Sequence, residues 1–566
     1  MAKKSSAQGG TEVGTEGGAQ VAFDHSYDVV VVGTGAAGLA TAMGAADEGL
    51  SVLLVESTAK WGGNTAMSGG GMWMPNNPLM ARAGVGDSRE EALTYMEATI
   101  GEEGRACSRE RKEAFVDGIA DFVDTAERYG VTLVRATDYA DYYPELPGGK
   151  IGRALEVEPF DVKRIGSWWE TCQAPVALPV KTDDVWLLSR AWSTPAGLKR
   201  GAQLVLRAAG GVVRNQKLGG IGAAFACSML EVVVLKQGAE LWLNAPLQDL
   251  VVQDGRVTGV RLTRDGHPVT VRAHRGVMLA AGGFDQNKEW RRKYHGIDGS
   301  PSGAPGNLGG AIEVAAAHGA ALELMDDAWW GASVAAPPGG SPLFLVGERS
   351  MPHSIMVDAR GDRFANESES YVGLGHRMLE HDKEGPYWLV AEVRHARRYL
   401  RNYALDPRAN KAMAKAGISF KAGSLDELAR QIGVEPARLQ ATVARFNGFA
   451  RAGVDGDFGR GNSAYDRYYG DPTVHPNPNL GPLEKGPFTA FKVVIGDLGT
   501  KGGVVTDAHG RALREDGEVI AGLYSAGNNS ASVMGRTYPG PGSTIGPAVV
   551  FGMRAARSLA AEQPAG

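Results

Sequence analysis

Three strand-like runs that each end in glycines, at residues 27–38, 276–283 and 522–528, predict an α/β fold for this 566-residue chain. The first and the last lie almost a whole chain apart, yet they read as parts of one site. They therefore predict a Rossmann-type nucleotide-binding domain that is discontinuous in sequence, with a mixed α+β domain inserted between its parts. Length agrees, since a chain of this size exceeds one compact core and suggests roughly two to three domains.

The first run is Tyr27-Asp-Val-Val-Val-Val-Gly-Thr-Gly-Ala-Ala-Gly38. Its apolar and β-branched residues make a buried strand, and Gly33, Gly35 and Gly38 follow with GxGxxG spacing. Ala36 and Ala37 open a helix of small residues that can pack close to a sheet. A second strand, Ser51-Val-Leu-Leu-Val-Glu56, ends in an acid placed to take ribose hydroxyls. A lone GxGxxG is weak evidence, but strand, glycines, helix, strand and acid in this order mark a dinucleotide site.

The next stretch, Trp61-Gly-Gly-Asn-Thr-Ala-Met-Ser-Gly-Gly-Gly71, decides which dinucleotide. Gly62, Gly63, Asn64, Thr65, Ser68, Gly69 and Gly70 make a loop able to wrap a pyrophosphate and a flavin ring. A nicotinamide site does not need such a loop, so FAD is the expected cofactor. Gly282 in Gly276-Val-Met-Leu-Ala-Ala-Gly-Gly283 and Gly527-Asn528 after Gly522-Leu-Tyr-Ser-Ala complete the candidate cofactor set. Between them, alternation around Asp254-Gly255 predicts a hairpin over 249–262, and residues 425–451 have helical spacing.

Composition sets outer limits. Hydrophobic residues at 43% and charged residues at 22% exclude wholesale disorder, while 79 glycines imply tight turns and close backbone approaches. A net charge of -5 argues against nucleic acid as a partner. Cys107, Cys172 and Cys227 lie far apart, so neither a disulfide framework nor a zinc site is expected. The 11 histidines lack any HExxH-like spacing, and no metal is expected. No apolar run approaches the roughly 18 residues that span a bilayer. Residues 1–26, rich in Gly, Ser, Thr and Glu and lacking an apolar core, read as a disordered tail rather than a signal peptide. A soluble, cytoplasmic protein is expected, at most peripheral to a membrane.

Several further motifs carry a resemblance. They are Asp141-Tyr-Tyr-Pro144, Arg363-Phe-Ala-Asn-Glu-Ser368 followed by Tyr371, Ala464-Tyr-Asp-Arg-Tyr-Tyr469, Asp497-Leu-Gly-Thr-Lys-Gly-Gly503 and Tyr538-Pro-Gly-Pro-Gly542. With the nucleotide motifs they span nearly all of 27–560. The chain resembles the flavoprotein family of fumarate reductase and succinate dehydrogenase, and within it the 3-ketosteroid Δ1-dehydrogenases.

That resemblance implies an FAD domain over 27–328 and 499–566 around a substrate domain over 329–498. It also implies removal of trans hydrogens from C1 and C2 of a 3-ketosteroid A ring. Tyr538 and the backbone N–H of Gly542 would bind the C3 oxygen, Tyr371 would take the C2 proton, and the C1 hydride would go to flavin N5. Tyr142 would hydrogen-bond Tyr371, with Tyr143 as the neighbour that a one-residue slip would exchange for it. The chemistry is physically coherent: an enolate develops on the carbonyl oxygen, so donors aimed there favour the transition state. A tyrosine base needs either a lowered pKa or concerted transfer. The electron acceptor implied is a quinone or another non-oxygen acceptor.

Departures from the family pattern also bear on function. Ser370 stands where relatives often have proline, and Asn307-Leu-Gly-Gly310 replaces a usual Thr-Gly-Asp, so one cofactor contact is lost or replaced. The loop after Glu56 has no histidine, unlike respiratory succinate dehydrogenases that attach FAD covalently, so noncovalent FAD is expected. Met534-Gly-Arg-Thr-Tyr538 is a poor clamp for a dicarboxylate, which disfavours fumarate reduction. Residues 160–217 form an insertion-like stretch with Trp168, Trp169, Trp186 and Trp192, and with nine Lys or Arg against four Asp or Glu. It reads as an interfacial membrane segment that collects a sterol, or as a lid whose tryptophans pack on the protein. Long-chain sterones such as cholest-4-en-3-one fit the first reading. The rivals are a Δ4-dehydrogenase of 3-oxo-5α-steroids and a flavin-bearing binding or electron-transfer protein. Trp329-Trp330 is expected at the substrate cavity or the domain seam, and Lys501 in a loop.

Overall fold

The computed structural model describes residues 12–16, 19–174, 176–401 and 406–564. Its first sheet runs in the order Glu240–Trp242, Val52–Val55, His25–Val32, His267–Leu279, Arg256–Arg264, Leu247–Gln253. Val519–Ser525 pairs with the end of His267–Leu279 and with Arg511–Leu513. The central pairings are parallel: Val32 lies opposite Leu279, and Leu279 opposite Ser525. Val29, Val30 and Val31 are wholly buried, as strands covered on both faces require. The hairpin foreseen around Asp254-Gly255 belongs to this sheet rather than to the inserted domain.

Helix Ala36–Asp47 lies against the C-terminal helix Ile545–Ala561, and both are small-residue helices where they meet. A Cβ at Gly44 would come within 2.8 Å of the Ala556 Cβ, and one at Gly552 within 2.7 Å of the Ala37 carbonyl oxygen. Glycine thus lets two backbones approach more closely than any side chain would permit.

The second sheet runs Leu343–Phe344, Ala328–Val334, Phe488–Thr500, Tyr387–Ala391, Ser354–Val357. Ser300–Pro301 and Ser419–Ala422 also pair with Phe488–Thr500. Helix Tyr371–His381 crosses this sheet, and a Cβ at Gly375 would strike the Trp330 Cβ at 2.4 Å. The helical stretch foreseen at 425–451 divides at Gly433, a left-handed C-cap, into Leu425–Ile432 and Pro436–Ala452.

The tail expectation fails for residues 12–16 and 19–26. Glu12–Glu16 pairs antiparallel with Ala19–Phe23, and His25 already begins the central strand. Phe23 supplies the reason, since it is 1% exposed beneath the Arg272 guanidinium, an anchor hidden behind a polar composition. Residues 1–11 lie outside the described residues. No helix among the described residues is long and apolar enough to cross a membrane.

Gly552→Val should force the two terminal helices apart. The expected cost is about 1–3 kcal/mol of stability with weaker flavin retention, read by thermal melting and by the flavin-to-protein absorbance ratio. An unchanged melt and ratio would show that this close approach is not needed.

Candidate active site

Parallel register brings the three glycine-marked strand ends to one edge of the first sheet. Gly33, at φ 105°, sits so close to the next strand that a Cβ would lie 2.3 Å from the Ala280 carbonyl oxygen. Gly35 is the N-cap of Ala36–Asp47 and offers no side chain to it. Thr65 Oγ1 accepts from the Ala36 N–H at 2.9 Å, and Ala37 and Gly38 continue the first turn. A helix start capped this sparingly suits an anionic pyrophosphate.

Glu56 follows the second strand, and its carboxylate accepts from Thr34 Oγ1 at 2.6 Å and the Thr58 N–H at 3.1 Å. Thr34 Oγ1 in turn accepts from the Gly62 N–H at 2.9 Å. Thr34 was invisible to the motif, where it occupies the unconstrained position between two glycines. Gly62 and Gly63 both have positive φ and start the short helix Gly63–Met67. Ser68 donates to the Thr65 carbonyl at 2.8 Å and accepts from the Gly70 N–H at 3.0 Å, while Gly69 faces open space. A carboxylate at the end of the second strand, a sparsely capped helix start and a glycine loop thus adjoin one another, which fits FAD.

Some of the candidate cofactor residues have protein neighbours that explain them. Asn64 accepts from the Ala304 N–H and from Asn307 Nδ2, and donates to the Leu498 carbonyl, so it joins the two sheets. Asn307, the departure from the family pattern, also donates to Asp285 at 2.9 Å. A Cβ at Gly282 would meet Asn307 Oδ1 at 2.7 Å, and one at Gly70 would meet the Ile221 backbone at 2.4 Å. Gly527 has φ 67°, and Asn528 Oδ1 accepts from Trp329 Nε1 at 3.2 Å.

Beside this cradle, the rings of Tyr142, Tyr371 and Tyr538 form a triangle. Ring centres lie 5.4 Å apart for Tyr142–Tyr371, 5.1 Å for Tyr142–Tyr538 and 4.9 Å for Tyr371–Tyr538. The loop of Tyr142 is stitched to the Tyr538 turn: the Tyr142 N–H and the Tyr95 hydroxyl both donate to the Pro539 carbonyl. The Tyr143 N–H donates to the Tyr95 hydroxyl, while its phenol lies against Ser370 and the Tyr538 backbone, so it too borders the site. Tyr371 is the first residue of its helix, and Ser370, at φ -42°, is its N-cap without a side-chain bond to the helix.

Gly542, at φ 92°, presses on the flavin loop so tightly that a Cβ would lie 2.1 Å from the Gly71 carbonyl oxygen. The Gly542 carbonyl accepts from the Trp73 N–H at 3.1 Å. Trp329 packs edge-on to Tyr538 at 5.4 Å and reaches Asn528, whereas Trp330 on the opposite face bonds Asp327. Lys501 is not an ordinary loop residue: it is fully buried, paired with Asp327 at 3.1 Å and 4.9 Å from the Trp329 ring centre.

Burial pushes the Tyr371 phenol well above its ordinary value, and Tyr538 pushes it the same way. Burial also raises Tyr538, but hydrogen bonds from Tyr371, Thr544 and the N–H groups of Gly542 and Ser543 pull against it. Sequence reasoning missed the surrounding phenols: Tyr465 lies 4.3 Å from Tyr142, and the Tyr139 hydroxyl touches those of Tyr142 and Tyr469. Tyr465 and Tyr469 were visible in the Ala464–Tyr469 motif, without a role.

The 160–217 stretch gives a divided answer. Trp168, Trp169 and Trp186 pack on the protein, but Trp192 is 71% exposed. Helix Pro195–Val213 turns Leu198, Val205, Leu206, Val212 and Val213 outward, while Arg200 and Arg207 fold back on Asp184.

Residues 28–545 match the model of a family described as FAD binding domain. The chain is 43% identical to the 3-oxosteroid 1-dehydrogenase of Mycolicibacterium smegmatis, over 94% of this chain and 97% of that one. It is 36% identical to the 4-oxocyclohex-2-ene-1-carboxylate 5-dehydrogenase of Sinomonas cyclohexanicum, over 94% and 93%. The solved 3-ketosteroid Δ1-dehydrogenase of Sterolibacterium denitrificans, in complex with 1,4-androstadiene-3,17-dione, superposes with a TM-score of 0.87 at 35% identity. That match covers 95% of this chain and 100% of the other. The chain belongs to this FAD-binding flavoprotein family, the one that includes the 3-oxosteroid 1-dehydrogenases, and FAD is its cofactor.

Proposed function

We propose that the protein is an FAD-dependent 3-oxosteroid Δ1-dehydrogenase. The observation that carries this reading is the triangle of Tyr142, Tyr371 and Tyr538 where the flavin cradle meets the second sheet. The Tyr538 hydroxyl and the Gly542 N–H donate to the C3 carbonyl oxygen of the substrate, which acidifies the C2 proton. Tyr371 Oη takes that proton while Tyr142 orients it. When bound, noncovalent FAD supplies the acceptor for the C1 hydride. A phenol raised by burial is mostly protonated at neutral pH, so Tyr371 first releases its own proton to solvent, and the tyrosinate fraction then takes the C2 proton. The flavin domain comprises 27–328 and 499–566 and the substrate domain 329–498, with strand Phe488–Thr500 crossing the second boundary. Electrons leave to a quinone or a similar acceptor.

The outward face of Pro195–Val213, with Trp192, is proposed to lie on an anionic lipid surface. Lys199, Arg214 and Lys217 flank it, and a water-insoluble sterone such as cholest-4-en-3-one would be collected there.

Anaerobic mixing of holoprotein with androst-4-ene-3,17-dione should bleach the flavin and yield the 1,4-diene-3-one. Bleaching only with a 5α-3-ketosteroid would make the Δ4 activity the answer, and bleaching only with a cyclohexanone carboxylate would remove the steroid reading. Tyr371→Phe and Tyr538→Phe should each lower kcat by about 10²–10⁴ with flavin content intact. Activity should rise with pH on the alkaline side of neutrality, because deprotonation favours the base. A steady fall between about pH 7 and 9 with intact enzyme would sink Tyr371 in that role. Leu206→Asp with Val213→Asp should weaken binding to anionic vesicles at low salt and leave turnover of androstenedione in detergent unchanged. Unchanged vesicle binding, or loss of a dimer instead, would overturn the lipid assignment.

A further inference from the structure

A base in this position needs more than the tyrosines themselves provide. Every phenol in the cluster is buried, and Tyr538, Tyr139 and Tyr465 make ionisation of Tyr371 harder rather than easier. A cation close to the cluster would change that balance, and one buried guanidinium stands there without an assigned role.

Arg349 lies in the short turn Glu348–Ser350 and is 0% exposed. Its Nη1 donates to the backbone carbonyls of Glu367 and Glu369, and its Nε to the Leu345 carbonyl at 3.3 Å. Nη2 has no hydrogen-bond partner. Among the described residues no carboxylate lies within ion-pair distance of it. The nearby acids are engaged elsewhere: Glu367 with Arg363 and Arg460, at 2.8 and 3.2 Å, and Glu369 with Arg377 at 2.8 Å. A full positive charge held only by carbonyl oxygens, away from water, projects a field that solvent does not quench. That field reaches Tyr139 and Tyr465, where it opposes the effect of burial on both phenols. Those two rings lie 6.3 and 4.3 Å from Tyr142.

The same side chain has a mechanical part. The carbonyls it holds belong to the residues immediately before Ser370, and the chain turns there into the helix headed by Tyr371. One guanidinium therefore fixes the approach of the proposed base and supplies the field around it.

We propose that Arg349 is a positioning residue for proton removal: it holds the Glu367–Glu369 backbone that delivers Tyr371, and its unneutralised charge stabilises the negative charge that reaches the tyrosine cluster. This rests on the reading of Tyr371 as the base. The groups facing Tyr371 are Tyr142 and Tyr538 by ring contact, and Tyr139 and Tyr465 through their charge. Glu369, with its partner Arg377, and Asp466 lie behind the same loop; burial pushes Glu369 up to about 7 and raises Asp466. A limb arising from Glu369 would fall near neutrality and survive Tyr371→Phe, which separates it from the tyrosine limb.

The test compares Arg349→Met and Arg349→Lys as FAD-loaded full-length proteins. The readouts are kcat and KM against pH with androst-4-ene-3,17-dione, flavin content, melting temperature and the ultraviolet titration of tyrosinate. Arg349→Met should lower kcat at least about tenfold, change KM less, and move the alkaline limb and the late tyrosinate transitions of the buried phenols upward by roughly one pH unit. Arg349→Lys keeps the charge without the fork, so its kcat should fall while its limb stays at the wild-type position. Activity loss in Arg349→Met with an unmoved limb would reduce Arg349 to a structural role and overturn the proposal. A limb in Arg349→Lys displaced as far as that of Arg349→Met would do the same. Should Arg349→Met fail to retain FAD, the limb of Arg349→Lys and its tyrosinate titration still decide. Failure of the wild type to bleach with any 3-ketosteroid would instead reject the functional reading, while the substrate-free tyrosinate titration would still judge Arg349.

Discussion

Everything at the site depends on the parallel pairing of His267–Leu279 with His25–Val32 on one side and Val519–Ser525 on the other. Parallel strands end at the same edge, so their terminal loops converge there without any further device. The register sets Val32, Leu279 and Ser525 level, and the glycine turns that follow each strand emerge side by side. A shift of one residue in either pairing would exchange the two buried faces of the strand, upset the packing of both layers and part the loops. The close packing of Ala36–Asp47 on Ile545–Ala561 reinforces this register from outside the sheet.

The tyrosines are held by a different kind of force. Arg153 sits buried between Asp87 and Asp141, 2.8 Å from each, and Asp141 also accepts from Trp73 Nε1 at 2.7 Å. Trp73 belongs to the stretch that follows the flavin glycine loop, so this buried network locks the Tyr142 loop to the cofactor side. Removing one member would strand charge in the interior, which is far costlier than losing a surface pair. The network explains a well-defined position for Tyr142 in a segment that otherwise has little regular structure.

The flavin half of the fold was legible because its signals are local. Gly33, Gly35, Gly38 and Glu56 lie within one βαβ unit, where a tight turn, a close approach and the end of the second strand fix their places. The discontinuity of the domain could be read from three glycine-ended runs of one kind. Thr34 could not, because a pattern leaves that position free and its partners, Glu56 and Gly62, meet only in three dimensions. The same holds for Tyr139, whose contacts with Tyr142 and Tyr469 join residues 330 positions apart. Tyr142, Tyr371 and Tyr538 were found through resemblance to a family rather than through physics, since no spacing in sequence links them. Phe23 shows the opposite failure: composition described the segment correctly, and one aromatic residue outweighed it.

The interleaving of the two sheets also has a consequence for how the chain acquires its shape during synthesis. Strand His25–Val32 is made early, but Val519–Ser525 and helix Ile545–Ala561, which complete its sheet and cover it, are made after the whole second sheet. The nascent flavin half must therefore wait with one edge unpaired and its glycine-rich helix uncovered. The second sheet, assembled from residues 300–500, has all its strands by then and can form first. Such an order leaves apolar strand surface of the early half uncovered until the late elements have been made.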